Sequence, residues 1–123
     1  MLIGSRGHEG NTMQKEDEVQ RIQLTLDQAQ AAIGKNEALE RLRSNPDFIK
    51  VVMEGYGKEE AIRLVHAKAS PALQEPEQQE KVVRDIDAIG SFFDFLRVIE
   101  HEANMSKKAL NDYYEEVDAA SAE

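Results

Sequence analysis

The sequence predicts an all-α protein, a small helical bundle of three short helices packed on one long C-terminal helix, with a disordered N-terminal arm. From about residue 82 onward, apolar residues recur at steps of three and four, which is the spacing of one helix laid along another. Only residues 19–26 alternate in the manner of a strand, and no second strand is available to pair with them. A chain of 123 residues suffices for one domain, which we place at residues 19–123.

The N-terminal arm is assigned to residues 1–18, which hold three glycines and scattered charges without periodicity. Met13 is an alternative natural start. In residues 19–25 apolar and polar side chains partly alternate, which favours an extended segment lying against the helices. Thr25-Leu26-Asp27-Gln28 has the form of a capping box, so the first helix is predicted over residues 26–43.

Two further short helices are predicted on either side of a pair of glycines. Asn45 is a favoured N-cap and Pro46 suits the first helical turn, which predicts a helix over residues 46–54. Gly55-Tyr56-Gly57 then predicts a left-handed turn that ends this helix. The third helix is predicted over residues 58–69.

The last helix is predicted over residues 77–118, with Pro76 at its start. Its first apolar stripe steps by four and three through Val82, Ile86, Ile89, Phe93, Leu96, Glu100, Ala103, Lys107, Leu110, Tyr114 and Val117. A second stripe runs beside it through Ala88, Phe92, Phe95 and Ile99. Such a helix would be about 63 Å long, so we expect its far end to project or to meet another chain. The pattern leaves open whether it is one helix or two broken near Asn104.

The net charge of −9 is concentrated in the C-terminal half, because residues 70–123 carry thirteen acidic and five basic side chains. This sign repels phosphate backbones, so we expect no direct nucleic-acid binding. No apolar run approaches the ~20 residues that span a bilayer, and the first residues lack the apolar core of a signal peptide. We therefore expect neither membrane insertion nor secretion.

The residue types that carry chemistry do not stand at catalytic or metal-binding spacings. His66 and His101 belong to no Glu-x-x-His or His-x-x-x-His pattern, and the chain has no cysteine. Asp85 and Asp87 point to different sides of a helix, so they do not form a carboxylate pair. We expect no enzymatic activity, no metal site and no cofactor.

Two segments of the long helix are candidates for protein–protein interaction. The first is an apolar patch that is either core or interface, and it consists of Phe92, Phe95 and Ile99. The second mixes acidic and aromatic side chains, as a fraying helix end or a surface for a basic partner would, and it consists of Asp112, Tyr113, Glu115 and Glu116.

Two stretches resemble a group of small, acidic, helical proteins of tailed bacteriophages. They are Asn45-Pro-Asp-Phe-Ile-Lys-Val-Val-Met-Glu-Gly-Tyr56 continuing to Arg63-Leu-Val-His66, and Arg84-Asp-Ile-Asp-Ala-Ile-Gly-Ser-Phe-Phe93. The similarity covers roughly residues 37–100. It implies a role in building or filling the virion, with the host cytoplasm or the virion as the location.

Two hypotheses of function follow. In the first, the chain is a virion structural or assembly accessory that packs its long helix against copies of itself, as a homo-oligomer, or against a larger virion protein. In the second, it is a small acidic inhibitor that uses this helix as a decoy to block a host nucleic-acid-handling protein.

Overall fold

The fold consists of two long helices joined by a series of shorter helical segments. The computed structural model describes the backbone of residues 2–122 and the side chains of residues 14–121. The elements in chain order are α1 (Leu2–Arg43), α2 (Pro46–Phe48), a π-helix (Ile49–Glu60), α3 (Ala61–Ala69), a short 3-10 helix (Pro71–Leu73) and α4 (Pro76–Ala122). No strand occurs between residues 2 and 122, and the predicted all-α class is confirmed.

Helix α1 ends at the predicted residue but begins much earlier than residue 26. Residues 19–25, expected to be extended, are helical, and the capping box at Thr25 does not form. The Thr25 hydroxyl instead donates to the carbonyl of Arg21 at 2.9 Å, which accommodates threonine inside a helix. The predicted disorder of residues 1–18 falls mostly on residues 1–13, whose side chains lie outside the described residues. The exposed residues 14–18 continue α1.

The helix starts predicted from proline and asparagine are confirmed. The Oδ1 atom of Asn45 accepts hydrogen bonds from the backbone N–H groups of Asp47 at 2.9 Å and Phe48 at 3.1 Å. These bonds satisfy two of the donors that a helix start leaves free. Helix α4 begins at Pro76, one residue before the predicted start.

The turn predicted at Gly55-Tyr56-Gly57 is wrong. The backbone continues through these residues as a twelve-residue π-helix that passes directly into α3. π-Helical stretches are usually single turns, so this segment is unusually long. No described glycine has a positive φ. Gly57 serves a different purpose, since a Cβ atom there would stand 2.6 Å from Cζ of Phe93. The missing side chain makes room for the ring.

Helix α4 is a single helix of 47 residues, which answers the question left open at Asn104. Its buried stripe follows the predicted seven-residue spacing through Val82, Ile89, Leu96 and Ala103. Ile99, a member of the second predicted stripe, is buried beside it, whereas the predicted members Glu100, Lys107, Tyr114 and Val117 are exposed. From Ile89 through Leu96 and Ile99 to Ala103 the packed residues keep one regular heptad spacing.

Helix α4 is the element against which the rest of the chain packs. Helix α1 packs on its C-terminal half, and the π-helix and α3 contact α4 as well. The first pairing is antiparallel, because Arg43 at the end of α1 forms an ion pair with Glu100 (3.5 Å) while Leu26 lies opposite Leu110. Leu39, Leu96 and Ile99 form the central cluster, with the rings at 92 and 93 against it.

Candidate interaction surface

Three aromatic rings join the π-helix to α4. The ring of Tyr56 lies 5.8 Å from that of Phe92 and 6.4 Å from that of Phe93 between centroids, and the two phenylalanine rings are 5.1 Å apart, edge to face. These separations are the favourable ones for aromatic pairs. Phe92 and Phe93 are half-buried in this cluster. They therefore hold the fold together and present little surface to a partner.

The structure separates the predicted apolar patch into two environments. Ile99 is 7% exposed and belongs to the central cluster, and Phe92 packs against Tyr56. Phe95 is 55% exposed, although it lies between these two along the same helix. Of the three residues, Phe95 alone presents most of its side chain to solvent.

Phe95 opens a row of exposed residues along α4, which we call the α4 face. Its members step by three and four and are Phe95, Val98, Glu102, Met105, Ala109, Asp112 and Glu116. Such steps keep side chains on one side of a helix. The row lies one residue before the buried row of Leu96, Ile99 and Ala103, so it flanks the packing seam with α1. Large apolar and acidic side chains share this face.

The C-terminal part of the α4 face borders a groove between α1 and α4. The groove has a volume of about 570 Å³. Its apolar lining comes from both helices and consists of Ile22, Leu26, Ala29, Ala109, Leu110 and Tyr113. Glu18 and Arg21 lie at its polar side. Ala109 belongs both to the groove and to the α4 face, so the two surfaces are continuous.

The predicted acidic segment is divided between the groove and open solvent. Tyr113 is half-buried and lines the groove, with its ring 5.6 Å from that of Tyr114. Asp112, Glu115 and Glu116 are exposed. The Nδ2 group of Asn111 donates to the carboxylate of Glu115 at 3.3 Å, and no ion pair forms with these acids among the described residues. The end of α4 therefore carries uncompensated negative charge.

Metal-ligating and titratable side chains among the described residues are scattered over the surface. No three His, Asp or Glu side chains among them are grouped so that they could hold a metal ion. The resolved pKa shifts belong to an ion pair on the protein surface: the hydrogen bonds from Arg63 lower the pKa of Glu60, and Glu60 raises the pKa of Arg63. None of the described helices combines the length and the apolar character needed to cross a membrane.

The sequence did not predict the contribution of α1 to this surface. Ile22 lines the groove beside Leu26 because residues 19–25 are helical, whereas residues 19–25 were expected to be extended. Val98 and Met105 were also missed, although their spacing from Phe95 follows the same heptad pattern as the buried stripe. A third row at this spacing, drawn beside the first two, would have identified them.

Comparison of the chain with protein-family models, with curated proteins and with solved structures finds no match.

Proposed function

We propose that the chain is a virion structural or assembly accessory of a tailed bacteriophage that acts by protein–protein contact and has no catalytic role. The observation that carries this proposal is the α4 face, where exposed apolar side chains stand among acidic ones and lead into a groove with an apolar lining. Exposed apolar surface bordered by polar side chains marks interaction sites in folded proteins. The phage setting rests on the sequence resemblance of residues 37–100.

The small core supports a function that needs a partner. Among the described residues, the buried apolar side chains are few, and they are Ala29, Leu39, Leu64, Val82, Ile89, Leu96, Ile99 and Ala103. A chain with so thin a core gains stability from covering its outer faces.

The test is co-purification of the tagged chain from infected or expressing cells, with mass spectrometry of the recovered proteins and of purified particles. We expect the chain to be recovered with virion proteins and to sediment with particles. A chain that is absent from particles and recovers no virion protein contradicts the proposal.

A second candidate function is the acidic inhibitor, and the exposed charge at the end of α4 favours it. Asp112, Glu115, Glu116 and Asp118 are all exposed, and no described basic side chain pairs with them. An acidic helix that replaces a nucleic acid should bind its target less tightly as salt rises. We expect the quadruple change of these residues to Asn or Gln to abolish capture of a host nucleic-acid-handling protein. Capture that survives both salt and neutralisation excludes this function.

A further inference from the structure

The α4 face and its groove carry an excess of negative charge. Three of the residues of the face are acidic and exposed, namely Glu102, Asp112 and Glu116. The groove lining adds one acid and one base, Glu18 and Arg21. Four acids therefore stand against one base, and none of the four forms an ion pair among the described residues. A positively charged partner is attracted to such a surface.

This charge disfavours partners that are themselves negative. Nucleic acid and the anionic surface of a membrane are bound through Lys and Arg side chains, of which this surface has only Arg21. A second copy of the chain docked face to face would bring the same acids together, and repulsion of like charges opposes that pairing. A protein that presents Lys or Arg side chains has the complementary charge.

The same surface has apolar groups that a purely basic partner would leave uncovered. Phe95 and Met105 are 55% and 56% exposed on the α4 face. The apolar lining of the groove includes Ile22, Leu26 and Leu110. A partner that covers this surface therefore needs apolar side chains in line with its basic ones.

The spacing and the length of the surface match a helix. The α4 face steps by three and four from Phe95 to Glu116, over about 32 Å of helix axis. A helix laid beside α4 repeats its side chains at the same steps, whereas an extended chain advances about 3.3 Å per residue and turns alternate side chains away. An apolar groove is also the kind of site in which proteins bind an amphipathic helix.

We propose that a basic amphipathic helix of a protein partner docks along the α4 face and in the groove. Its apolar side chains cover Phe95, Met105 and the groove lining. Its Lys or Arg side chains lie beside Glu102, Asp112 and Glu116. This inference rests on the proposed function and names the chemistry of the partner that this function requires. The apolar contacts supply affinity, and the charged contacts select the partner and speed its association.

The first test compares two synthetic helical peptides that are long enough to cover the face, about 21 residues. Both have leucine at the a and d positions of the heptad, and one has lysine at the e and g positions where the other has glutamate. Fluorescence anisotropy with the purified full chain measures both dissociation constants. We expect the lysine peptide to bind at least about tenfold more tightly and to lose affinity as salt rises. Equal affinities, or no binding of the lysine peptide, overturn the proposal.

The second test locates the bound peptide by its charge partners. Neutralising the three acids of the α4 face should weaken the lysine peptide about tenfold, because three exposed ion pairs are lost together. The matched control neutralises three exposed, unpaired acids on the π-helix and before α4, and should change the affinity less than about twofold. The two variants are Glu102→Gln/Asp112→Asn/Glu116→Gln and Glu54→Gln/Glu59→Gln/Glu75→Gln. Both lose the same net charge, so equal losses of affinity would show that the α4 face does not bind the peptide.

The third test removes an apolar group from the face. Phe95→Ala should weaken the lysine peptide about 30-fold, the effect of losing an interface hot spot. Val65→Ala is the control, because Val65 is 59% exposed on α3, outside the α4 face, and should leave the affinity unchanged. Circular dichroism of each variant checks that the helices are intact. Equal effects of the two variants contradict the proposal.

The failure of this inference is distinguishable from the failure of the proposed function. A chain that sediments with particles but binds the two peptides equally overturns the basic helix and leaves the proposed function standing. A chain that binds the lysine peptide at this face but is absent from particles overturns only the proposed function.

Discussion

Gly57 and Phe93 show how a missing side chain sets the packing between the π-helix and α4. A Cβ atom on Gly57 would approach Cζ of Phe93 to 2.6 Å, and the ring is held from its other sides by Tyr56 and Phe92. In contrast, a Cβ atom on Gly34 of α1 would meet nothing within 4 Å. Gly57 therefore leaves space that a neighbouring ring fills, whereas the space beside Gly34 is empty.

Gly57→Ala should destabilise the protein by about 1–3 kcal/mol, because the added methyl group forces the ring of Phe93 out of place. Gly34→Ala should stabilise it by about 0.5–1 kcal/mol, because alanine loses less conformational freedom in a helix. Urea unfolding followed by circular dichroism measures both. A Gly57→Ala protein as stable as the wild type would show that the ring does not depend on this glycine.

Asn36 is a polar residue buried in the seam between α1 and α4, at 4% exposure. Its Nδ2 group donates to Glu40 at 3.3 Å, and its Oδ1 atom has no hydrogen-bond partner among the described residues. Burial of an unsatisfied acceptor is costly, so Asn36→Ala should raise the free energy of unfolding by about 1 kcal/mol. The control is Asn104→Ala on the exposed side of α4, where only the helix propensity of about 0.5 kcal/mol is gained. An Asn36→Ala protein less stable than the control would indicate that the polar group is satisfied.

At the scale of single residues, the sequence predicted what local chemistry decides. Asn45 starts a helix with its side-chain acceptor, and Pro46 does so with the fixed geometry of its ring. The structure confirms both. The prediction at Gly57 was wrong because the role of this glycine depends on Phe93, which is distant along the chain. The exposure of Phe95 beside the buried Leu96 likewise depends on which row of α4 receives α1.

The short α2 depends on its N-cap. Asn45 supplies the acceptor for two backbone N–H groups and so fixes the start of the segment that continues into the π-helix. Asn45→Ala should lower the free energy of unfolding by about 1 kcal/mol, within the usual range for a lost cap. Asn104→Ala again serves as the control and should show the opposite sign. Thermal unfolding of the two variants side by side measures the difference.

Helix α3 has one row of side chains that faces the core and one that faces solvent, and two adjacent residues belong to different rows. Leu64 is 2% exposed, whereas Val65 is 59% exposed. Leu64→Ala should cost about 2–5 kcal/mol, because it leaves a cavity between α3 and its neighbours. Val65→Ala should change stability by less than about 0.5 kcal/mol. Equal losses in the two variants would mean that α3 packs in another orientation.

At the scale of elements, α4 was predictable as a helix and α1 only in part. The heptad spacing and Pro76 identified α4, and the pattern located its buried stripe as far as Ala103. It did not show that Ile99 is buried and Glu100 exposed, because that choice depends on the contact with α1 and periodicity within α4 alone carries no information about that contact. Residues 19–25 of α1 have only a weak apolar periodicity, so the sequence did not identify them as helical. In the structure they continue the packed part of α1 as one helix.

At the scale of the whole molecule, two long antiparallel helices leave one face of α4 uncovered from Phe95 onward. Phe95, Val98 and Met105 remain exposed there, and the groove beside Ala109 extends that surface to α1. The central claim is that this face, and no other part of the exposed apolar surface, binds the protein partner.

The most direct test compares the partner protein recovered by three tagged forms of the chain: wild type, Phe95→Glu and Val51→Glu. Both variants place one carboxylate at an exposed apolar position of a helix, since Val51 is 66% exposed on the π-helix. We predict that Val51→Glu recovers as much partner as the wild type and that Phe95→Glu recovers at least about tenfold less. Full recovery by Phe95→Glu, or an equal loss by Val51→Glu, would contradict the account.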